Sequence, residues 1–310
     1  MTATSPNRND PCFAMSPNAP DVSFLGQCGV AALHKLNEND ADGVFRDIAM
    51  TYLLDASGVI YNDGVPFPGV VDAVHALQSQ GSVYIATNNT SASPEEISQS
   101  LSQMGIHVPV SHILSSGLTL AADPALRGCV AGKSVFLYGI PSAGVYIARA
   151  GGHVVAAPEE ADVFVLTHAT PAATTDPLFC RMRDHQRQHP ERPMICLNPD
   201  RYVVSGASLY PVVGHVAAQC HHMQWAGKPH DNYAVHVVAA TLAEAGIVVD
   251  RRVTFVDDNP ENVQAMCRCL GISGVVVTDT GLAQHAPWRA QLETLDPGIS
   301  CVPGLWALHR

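Results

Sequence analysis

Positive charge is scarce in this sequence. Its 310 residues include 17 lysines and arginines against 28 aspartates and glutamates, which gives a formal net charge of −11. A nucleic-acid surface needs clustered basic side chains to contact phosphates, so this composition argues against one. Lysine occurs only at Lys35, Lys133 and Lys228. A lysine at a candidate site is therefore informative.

The chain also lacks long apolar runs. No stretch approaches the roughly 20 apolar residues that cross a bilayer, and residues 1–20 have neither the basic start nor the apolar centre of a secretory signal. Nine cysteines, scattered through apolar segments, fit a reducing compartment better than a disulfide framework. We expect a soluble cytoplasmic protein that binds neither a membrane nor nucleic acid.

The sequence does contain enough apolar residues for a large core. Hydrophobic residues make up 47% of the chain, and a chain of this length commonly folds as two packed units or as a core with an inserted cap. Residues 1–21 are rich in proline, asparagine and serine and predict a disordered tail. Residues 30–48 have apolar residues at helical spacing.

Strand and helix patterns alternate along the rest of the chain. The alternation starts with the strand-like run 51–54, repeats on its own within residues 127–222, and then resumes. Such alternation is typical of right-handed βαβ units in a parallel sheet. We therefore predict an α/β fold with a Rossmann-like core, a parallel sheet flanked by helices, in residues 22–126 and 223–310. An α/β cap domain, residues 127–222, interrupts it.

An aspartate stands where the first apolar strand ends. Residues 51–54 are followed directly by Asp55, and the turn-forming Gly58 comes shortly after. Ligands bind at this edge of open parallel sheets, and an aspartate there can attack an electrophile and become a covalent intermediate. A role in capping the following turn explains Asp55 equally well. The residues at the other strand ends are therefore needed to choose between the two roles.

Those strand ends carry complementary groups. Thr87 ends the second strand, Lys228 lies between the insert and a helix, and Asp257 and Asp258 follow a later strand. Taken alone, Thr87 fits a helix cap and Lys228 fits a surface lysine. Adjacent carboxylates repel each other and are typical of a cation site. Together with Asp55, these groups are the parts that phosphoryl transfer needs.

The order and local sequence of these sites resemble the haloacid dehalogenase superfamily, class IIA, which includes p-nitrophenylphosphatase-like and pyridoxal-phosphatase-like enzymes. Four of its motifs resemble the stretches 55–61 (DASGVIY), 86–89 (ATNN), 227–229 (GKP) and 256–262 (VDDNPEN). Two class IIA cap motifs resemble 198–200 (NPD) and 211–214 (PVVG). Within the first of these, Asp200 fits either a substrate contact or a turn. The resemblance covers about residues 51–282.

The resemblance implies roles for individual residues. Asp55 would be the nucleophile, and Mg²⁺ would bind Asp55, the backbone carbonyl of Ser57 and Asp258. Asp257 would pair with Lys228 or support the metal through water. The residues implied to contact phosphate are Asp55, Ala56, Ser57, Thr87, Asn88 and Lys228. The cap would close over a small phosphorylated metabolite, and by analogy alone we expect a homodimer through the cap.

Ser57 departs from the family pattern. Phosphatases of this superfamily carry an aspartate at this position as general acid and base, a role worth roughly 10²–10⁴-fold that a serine hydroxyl cannot fill. Dehalogenases and phosphonate hydrolases of the superfamily also lack that aspartate, but they insert their cap between motifs one and two. Here 32 residues separate Asp55 from Thr87 and 141 separate Thr87 from Lys228, so the insert lies in the later interval.

Two functions remain open at this point. One is a Mg²⁺-dependent hydrolase that acts through an aspartyl-phosphate on Asp55 and is slowed by the loss of the acid at Ser57. The other is a catalytically degenerate protein that binds phosphorylated ligands or has a regulatory role. Dehalogenase or phosphonate hydrolase activity is disfavoured by the position of the cap. The retained nucleophile, lysine and metal carboxylates favour the hydrolase.

Overall fold

The structure of the chain is a computed structural model that describes residues 50–308. The tail predicted for residues 1–21, the helical pattern of residues 30–48 and the predicted start of the core domain at residue 22 lie outside the described residues. No helix within residues 50–308 combines the length and the apolar character that a membrane crossing requires.

Strands and helices alternate along the described residues. The strands are β1 (Met50–Leu54), β2 (Tyr61–Asn62), β3 (Val65–Pro66), β4 (Gly81–Thr87), β5 (Ile113–Ser115), β6 (Ser134–Tyr138), β7 (His153–Val155), β8 (Val163–Leu166), β9 (Met194–Cys196), β10 (Tyr202–Ser205), β11 (Ser208–Pro211), β12 (Met223–Trp225), β13 (Val253–Asp257), β14 (Ser273–Val277) and β15 (Ile299–Val302). The α-helices are α1 (Val70–Gln80), α2 (Pro94–Gln103), α3 (Thr119–Ala122), α4 (Pro124–Val130), α5 (Gly144–Arg149), α6 (Pro177–Gln188), α7 (Val213–Ala217), α8 (Asp231–Tyr233), α9 (Ala240–Glu244), α10 (Pro260–Leu270) and α11 (Ala286–Arg289).

Six parallel strands form the core sheet in the order β15-β14-β13-β1-β4-β5. Leu53 and Leu54 of β1 are both fully buried, and each packs in a different apolar cluster. Successive side chains of a strand point to opposite faces, so a continuous apolar run suits a sheet covered on both faces. The predicted α/β fold is confirmed.

The register of the central strands brings polar residues to one edge of this sheet. Leu54 of β1 pairs with Val256 of β13, so the next residues, Asp55 and Asp257, lie beside each other. Thr87 ends β4 on the other side of β1. The three strand ends that were singled out from the sequence are therefore immediate neighbours.

A second parallel sheet, in the order β12-β9-β8-β6-β7, contains the parallel strands of the segment predicted as the cap, and we use that name for it. The bounds of the cap, residues 127–222, stay a prediction, but two contacts of this sheet reach beyond them. Strand β12, which the prediction assigned to the core, pairs with β9 of the cap sheet. Leu120 and Leu126 pack with the apolar side chains of the cap. Both contacts arise from long-range packing that no local pattern in the sequence marks.

Apolar residues at helical spacing between about residues 232 and 245 predict a helix, which is present but irregular. A π-helical segment, Ala234–Ala239, joins α8 to α9. Such wide turns are rare and frequently occur at functional sites. Just before this one, the fully buried Tyr233 donates from its hydroxyl to the carbonyl oxygen of Leu114 at 2.6 Å. Apolar periodicity predicts the helix here but not the wide turn within it.

Candidate active site

Lys228 is the centre of a buried network at the carboxyl edge of the core sheet. Its side chain is only 1% exposed. Its Nζ donates to Oδ1 of Asp55 at 2.6 Å, to Oδ2 of Asp257 at 2.7 Å and to the carbonyl oxygen of Ala86 at 2.7 Å. An ammonium group has three protons to donate, so these contacts satisfy it. The structure brings together the lysine and two of the carboxylates singled out from the sequence.

The charges in this network keep Lys228 protonated. Burial lowers the pKa of Lys228, but the carboxylates of Asp257 and Asp55 raise it, and the net pKa lies well above the ordinary value for lysine. Burial raises the pKa of Asp55 to about 7, while Lys228 lowers it and Asp257 raises it further. An ionised Asp55 is therefore costly unless more positive charge is supplied.

Asp258 adds a third carboxylate to this cluster and increases its need for positive charge. Asp55, Asp257 and Asp258 can each place one carboxylate oxygen within 4.8 Å of the others. Burial, and then the charges of Asp257 and Asp55, raise the pKa of Asp258 well above its ordinary value. Within residues 50–308, Lys228 alone forms an ion pair with this group. If all three carboxylates are ionised, the ammonium group compensates one of them, and the two remaining negative charges match the charge of a divalent cation.

Two glycines make room for the carboxylate of Asp258. Gly58 and Gly281 both have left-handed backbone, with φ of 85° and 62°. A Cβ atom on Gly58 would lie 2.2 Å from Oδ2 of Asp258, and one on Gly281 would lie 1.9 Å from it. The same oxygen accepts a hydrogen bond from the backbone N–H of Leu282 at 2.6 Å. Asp258 is therefore held in a tight cradle with little freedom to turn.

The carboxylate of Asp257 accepts hydrogen bonds from several groups of the protein. Besides Lys228, its carboxylate accepts from the backbone N–H of Asn259 at 2.8 Å and, through longer contacts of 3.3 and 3.4 Å, from Nδ2 of Asn262. The sequence left two roles open for Asp257, pairing with Lys228 or supporting a metal through water. The contacts of the carboxylate favour the first.

Ser57 and Thr87 both line the cleft above Asp55. Ser57 is half-buried and belongs to the turn in which the N–H of Gly58 donates to the carbonyl oxygen of Tyr61 at 2.9 Å. Thr87 is buried, and its Oγ1 accepts from the backbone N–H of Asn89 at 3.2 Å. The local capping role considered for Thr87 is thus present, and its hydroxyl still borders the cleft.

Asn88 and Ala56 contribute differently from what the resemblance implies for phosphate contacts. Ala56 is fully buried in the core, which leaves only its backbone for such a contact. Nδ2 of Asn88 donates to Oδ1 of Asp200 at 2.8 Å and to the carbonyl oxygen of Lys228 at 2.9 Å, and its Oδ1 accepts from the N–H of Lys228 at 2.9 Å. The side chain of Asn88 therefore ties the core to the cap and to the lysine loop.

A cleft of about 290 Å³ lies between the core edge and the cap. This volume suits a small ligand. The core contributes the nucleophile candidate and its neighbours, and the cap contributes one face. The side chains on that face are His168, Asn198, Asp200, Tyr202, Val203, Val204, Val212 and Val213.

Two hairpins, one from the core and one from the cap, contact each other at the rim of the cleft. Nδ2 of Asn62, beside the core hairpin turn, donates to the carbonyl oxygen of Gly206 in the cap hairpin at 3.2 Å. In return, the N–H of Gly206 donates to Oδ2 of Asp63 at 2.8 Å. Both contacts are exposed to solvent.

Sequence reasoning missed two residues of the site. Asn262 is buried against Asp257, and its place one turn into the helix after the paired aspartates was a usable signal. His168 reaches the cleft from the loop after β8, where it lies 3.3 Å from Oγ of Ser91. No local pattern around His168 distinguishes it from the other exposed histidines.

The first part of the described chain is similar to a known family. Residues 52–151 match the family model described as haloacid dehalogenase-like hydrolase. This match includes Asp55, Ser57 and Thr87 but ends before Lys228 and the paired aspartates. The comparison with curated protein sequences finds no match.

Solved structures resemble the chain over most of its length. A 4-nitrophenylphosphatase from Thermotoga maritima has a TM-score of 0.66 at 20% identity and covers 85% of this chain and 97% of its own. A p-nitrophenyl phosphatase from Archaeoglobus fulgidus has a TM-score of 0.65 at 20% identity, with coverages of 84% and 98%. A glycerol phosphate phosphatase from Mycobacterium tuberculosis in complex with magnesium has a TM-score of 0.67 at 20% identity, with coverages of 84% and 77%. The chain therefore has the fold of these phosphatases, and its residues 52–151 are similar to haloacid dehalogenase-like hydrolases.

Proposed function

We propose that this protein is a Mg²⁺-dependent phosphatase that hydrolyses a small phosphorylated metabolite through an aspartyl-phosphate on Asp55. The observation that carries the proposal is the placement of Asp55 at the base of the cleft. Lys228 takes its Oδ1, while Oδ2 has no hydrogen-bond partner within residues 50–308. The names of the three structural neighbours, all phosphatases, support the same reaction.

The residues of the site fit a divalent cation. With its three carboxylates ionised, the cluster has two negative charges that Lys228 does not compensate, and the Gly58 and Gly281 cradle fixes Asp258 within it. Asp55, the backbone carbonyl of Ser57 and Asp258 would hold the metal. When bound, Mg²⁺ would neutralise these carboxylates and withdraw charge from the phosphoryl oxygens.

Each side chain has a defined task in this reaction. Oδ2 of Asp55 attacks phosphorus, and Lys228 keeps the attacking group oriented and stabilises the negative charge of the phosphoryl oxygens. The Thr87 hydroxyl donates to one phosphoryl oxygen. Water then attacks the aspartyl-phosphate and regenerates Asp55. Ser57 supplies no proton for the leaving group, so the acid has to come from elsewhere.

A panel of phosphomonoesters tests this function directly. With Mg²⁺ present we expect release of inorganic phosphate from at least one alkyl or aryl phosphate. Beryllium fluoride, which mimics a phosphoryl group on an aspartate, should inhibit that release. Binding of phosphorylated metabolites without any turnover would instead favour the degenerate protein, for which Ser57 is the specific argument. We also propose that the protein is cytoplasmic and that it forms a homodimer through the cap.

We predict that Ser57→Asp raises kcat. A carboxyl group at this position would protonate the leaving group from the core side of the cleft, and general acid catalysis contributes roughly 10²–10⁴-fold where no other acid acts. Because another acid already acts in the wild-type protein, the increase expected for alkyl phosphates is smaller than this range. Asparagine has nearly the same size as aspartate but carries no acidic proton, so Ser57→Asn should give no increase in kcat. A well-folded Ser57→Asp variant with unchanged or lower kcat would contradict the prediction.

We predict that Gly58→Ala impairs the proposed metal site. The new methyl group would displace the carboxylate of Asp258, and misplacing a functional group by about 1 Å can cost roughly 10²-fold in rate. A titration of activity with Mg²⁺ should show both weaker binding and a lower maximum. Gly132→Ala is the matched control, because Gly132 has a similar φ of 73° but open space around its Cβ position. Equal responses of the two variants to Mg²⁺ would refute the cradle.

A further inference from the structure

We propose that Asp200 of the cap is the general acid and base of this reaction, in place of the aspartate that the core lacks at Ser57. The inference rests on the proposed phosphatase function and concerns the source of its proton. Asp200 lines the cleft together with Asp55, Ser57 and Lys228. It is thus a carboxyl group on the cap side of the cleft that also contains the proposed nucleophile.

The backbone around Asp200 is fixed on both sides. Its N–H donates to Oδ1 of Asn198 at 3.0 Å, and its carbonyl oxygen accepts from the N–H of Gly214 at 3.0 Å. Gly214 has no space for a side chain, since a Cβ there would lie 2.4 Å from that carbonyl oxygen. The loop therefore holds Asp200 in one place relative to the cap sheet.

The side chain of Asp200 is fixed relative to the core. Its Oδ1 accepts from Nδ2 of Asn88 at 2.8 Å. The same Asn88 amide holds the backbone of Lys228 through bonds of 2.9 Å to its carbonyl oxygen and its N–H. Oδ2 of Asp200 has no hydrogen-bond partner within residues 50–308. One oxygen thus anchors the carboxyl group, and the other is available to carry a proton.

The electrostatic surroundings suit an acid that works near neutral pH. Burial raises the pKa of Asp200 to about 6, Lys228 and the bond from Asn88 lower it, and Asp257 raises it slightly. Efficient general acids have a pKa close to the working pH. An ordinary exposed aspartate would have lost its proton almost completely under these conditions.

The other titratable groups around the cleft are less suitable. Burial raises the pKa of Tyr61 to about 12, far from neutral pH. Asp63 is exposed at the mouth and accepts from the backbone of Gly206. His168 is exposed to solvent beside Ser91, so water competes for its proton. Unlike these three groups, Asp200 combines partial burial, fixed geometry and an oxygen with no hydrogen-bond partner within residues 50–308.

Asp200 gives one proton to the leaving group and takes one back from water. As Oδ2 of Asp55 bonds to phosphorus, the bond from phosphorus to the leaving oxygen breaks and its electron pair stays on that oxygen. The proton on Asp200 moves to this oxygen, so the product leaves as a neutral alcohol. The Asp200 carboxylate then takes a proton from water as the water oxygen bonds to phosphorus. The electron pair of the Asp55–phosphorus bond returns to Asp55, and phosphate is released.

Asp200→Asn is the decisive variant, because asparagine keeps an oxygen for Asn88 but has no acidic proton. We expect kcat for glycerol phosphate, whose alkoxide needs a proton to leave, to fall by roughly 10²-fold or more. For 4-nitrophenyl phosphate, whose phenolate leaves without a proton, the loss should be much smaller. Equal losses for both substrates, as a structural role would give, overturn the proposal. Glu159→Gln, which changes an exposed carboxylate elsewhere on the cap, should leave both rates unchanged.

A double variant distinguishes loss of the acid from misfolding of the Asp200→Asn protein. Ser57→Asp combined with Asp200→Asn should recover most of the lost activity toward glycerol phosphate, since an acid is restored on the other side of the leaving group. A double variant as slow as Asp200→Asn overturns the proposal. Failure of the proposed function is distinct from either outcome, because the wild-type protein would then release no phosphate at all and would not respond to beryllium fluoride.

Discussion

Replacing Asp55 with asparagine should lower phosphate release by roughly 10⁴-fold or more, because an amide cannot serve as the attacking group and losing a nucleophile removes the chemical step itself. The variant should still fold. Asparagine can offer its oxygen to Lys228, and one of three crowded negative charges disappears. Without Mg²⁺ the variant should therefore unfold at the same temperature as the wild-type protein or at a higher one.

Phosphate release and thermal unfolding, measured on the same Asp55→Asn samples, check both parts of this prediction. Asp184→Asn, a change of the same size on the exposed face of α6, should affect neither. A folded Asp55→Asn variant that keeps a tenth of the wild-type rate would mean that Asp55 is not the nucleophile. A marked loss of stability in the absence of metal would contradict the argument about crowded charge.

Lys228→Met should reduce the free energy of unfolding by about 3–5 kcal/mol, the usual cost of removing one partner from a buried ion pair. Methionine has a similar length and keeps the packing, but it leaves Asp55 and Asp257 buried with no positive charge between them. Activity should be lost as well, because Lys228 also stabilises the phosphoryl charge. Urea unfolding in the presence of a metal chelator measures the change in stability.

Lys133→Met provides the matched control for this measurement. Lys133 is the other lysine in the described residues, and it is exposed on the cap. Its replacement should change the free energy of unfolding by no more than about 0.5 kcal/mol. If both variants were destabilised equally, the three hydrogen bonds of the Lys228 ammonium group could not be the source of the effect.

Local sequence rules predict the elements of this fold well where the signals are local. Helix α10, residues 260–270, begins and ends at signals that can be read from the local sequence. Asn259 caps its first turn by accepting from the N–H of Glu261, proline follows at the first position, and Gly271 ends it with a φ of 68°. The strand end at Asp55 could be found by equally local means, since the apolar run of β1 stops there.

Contacts across long stretches of chain could not be predicted in the same way. Asn88 and Asp200 are 112 residues apart, and only the packing of cap against core brings their side chains into contact. The same holds for β12, a three-residue strand that is assigned to the cap by its pairing with β9. The family resemblance predicts that Asp55 and Lys228 lie close together. It does not predict the hydrogen-bond partners that fix their orientation.

The two hairpins that meet at Gly206 border the cleft and are joined by two exposed hydrogen bonds. Water competes for exposed hydrogen bonds, so each contributes little net stability. The bond from Asn88 to Asp200, by contrast, is partly buried, and Asn88 is also bonded to the backbone of Lys228. We therefore expect the contact at this rim to cost less free energy to break than the contact at Asn88.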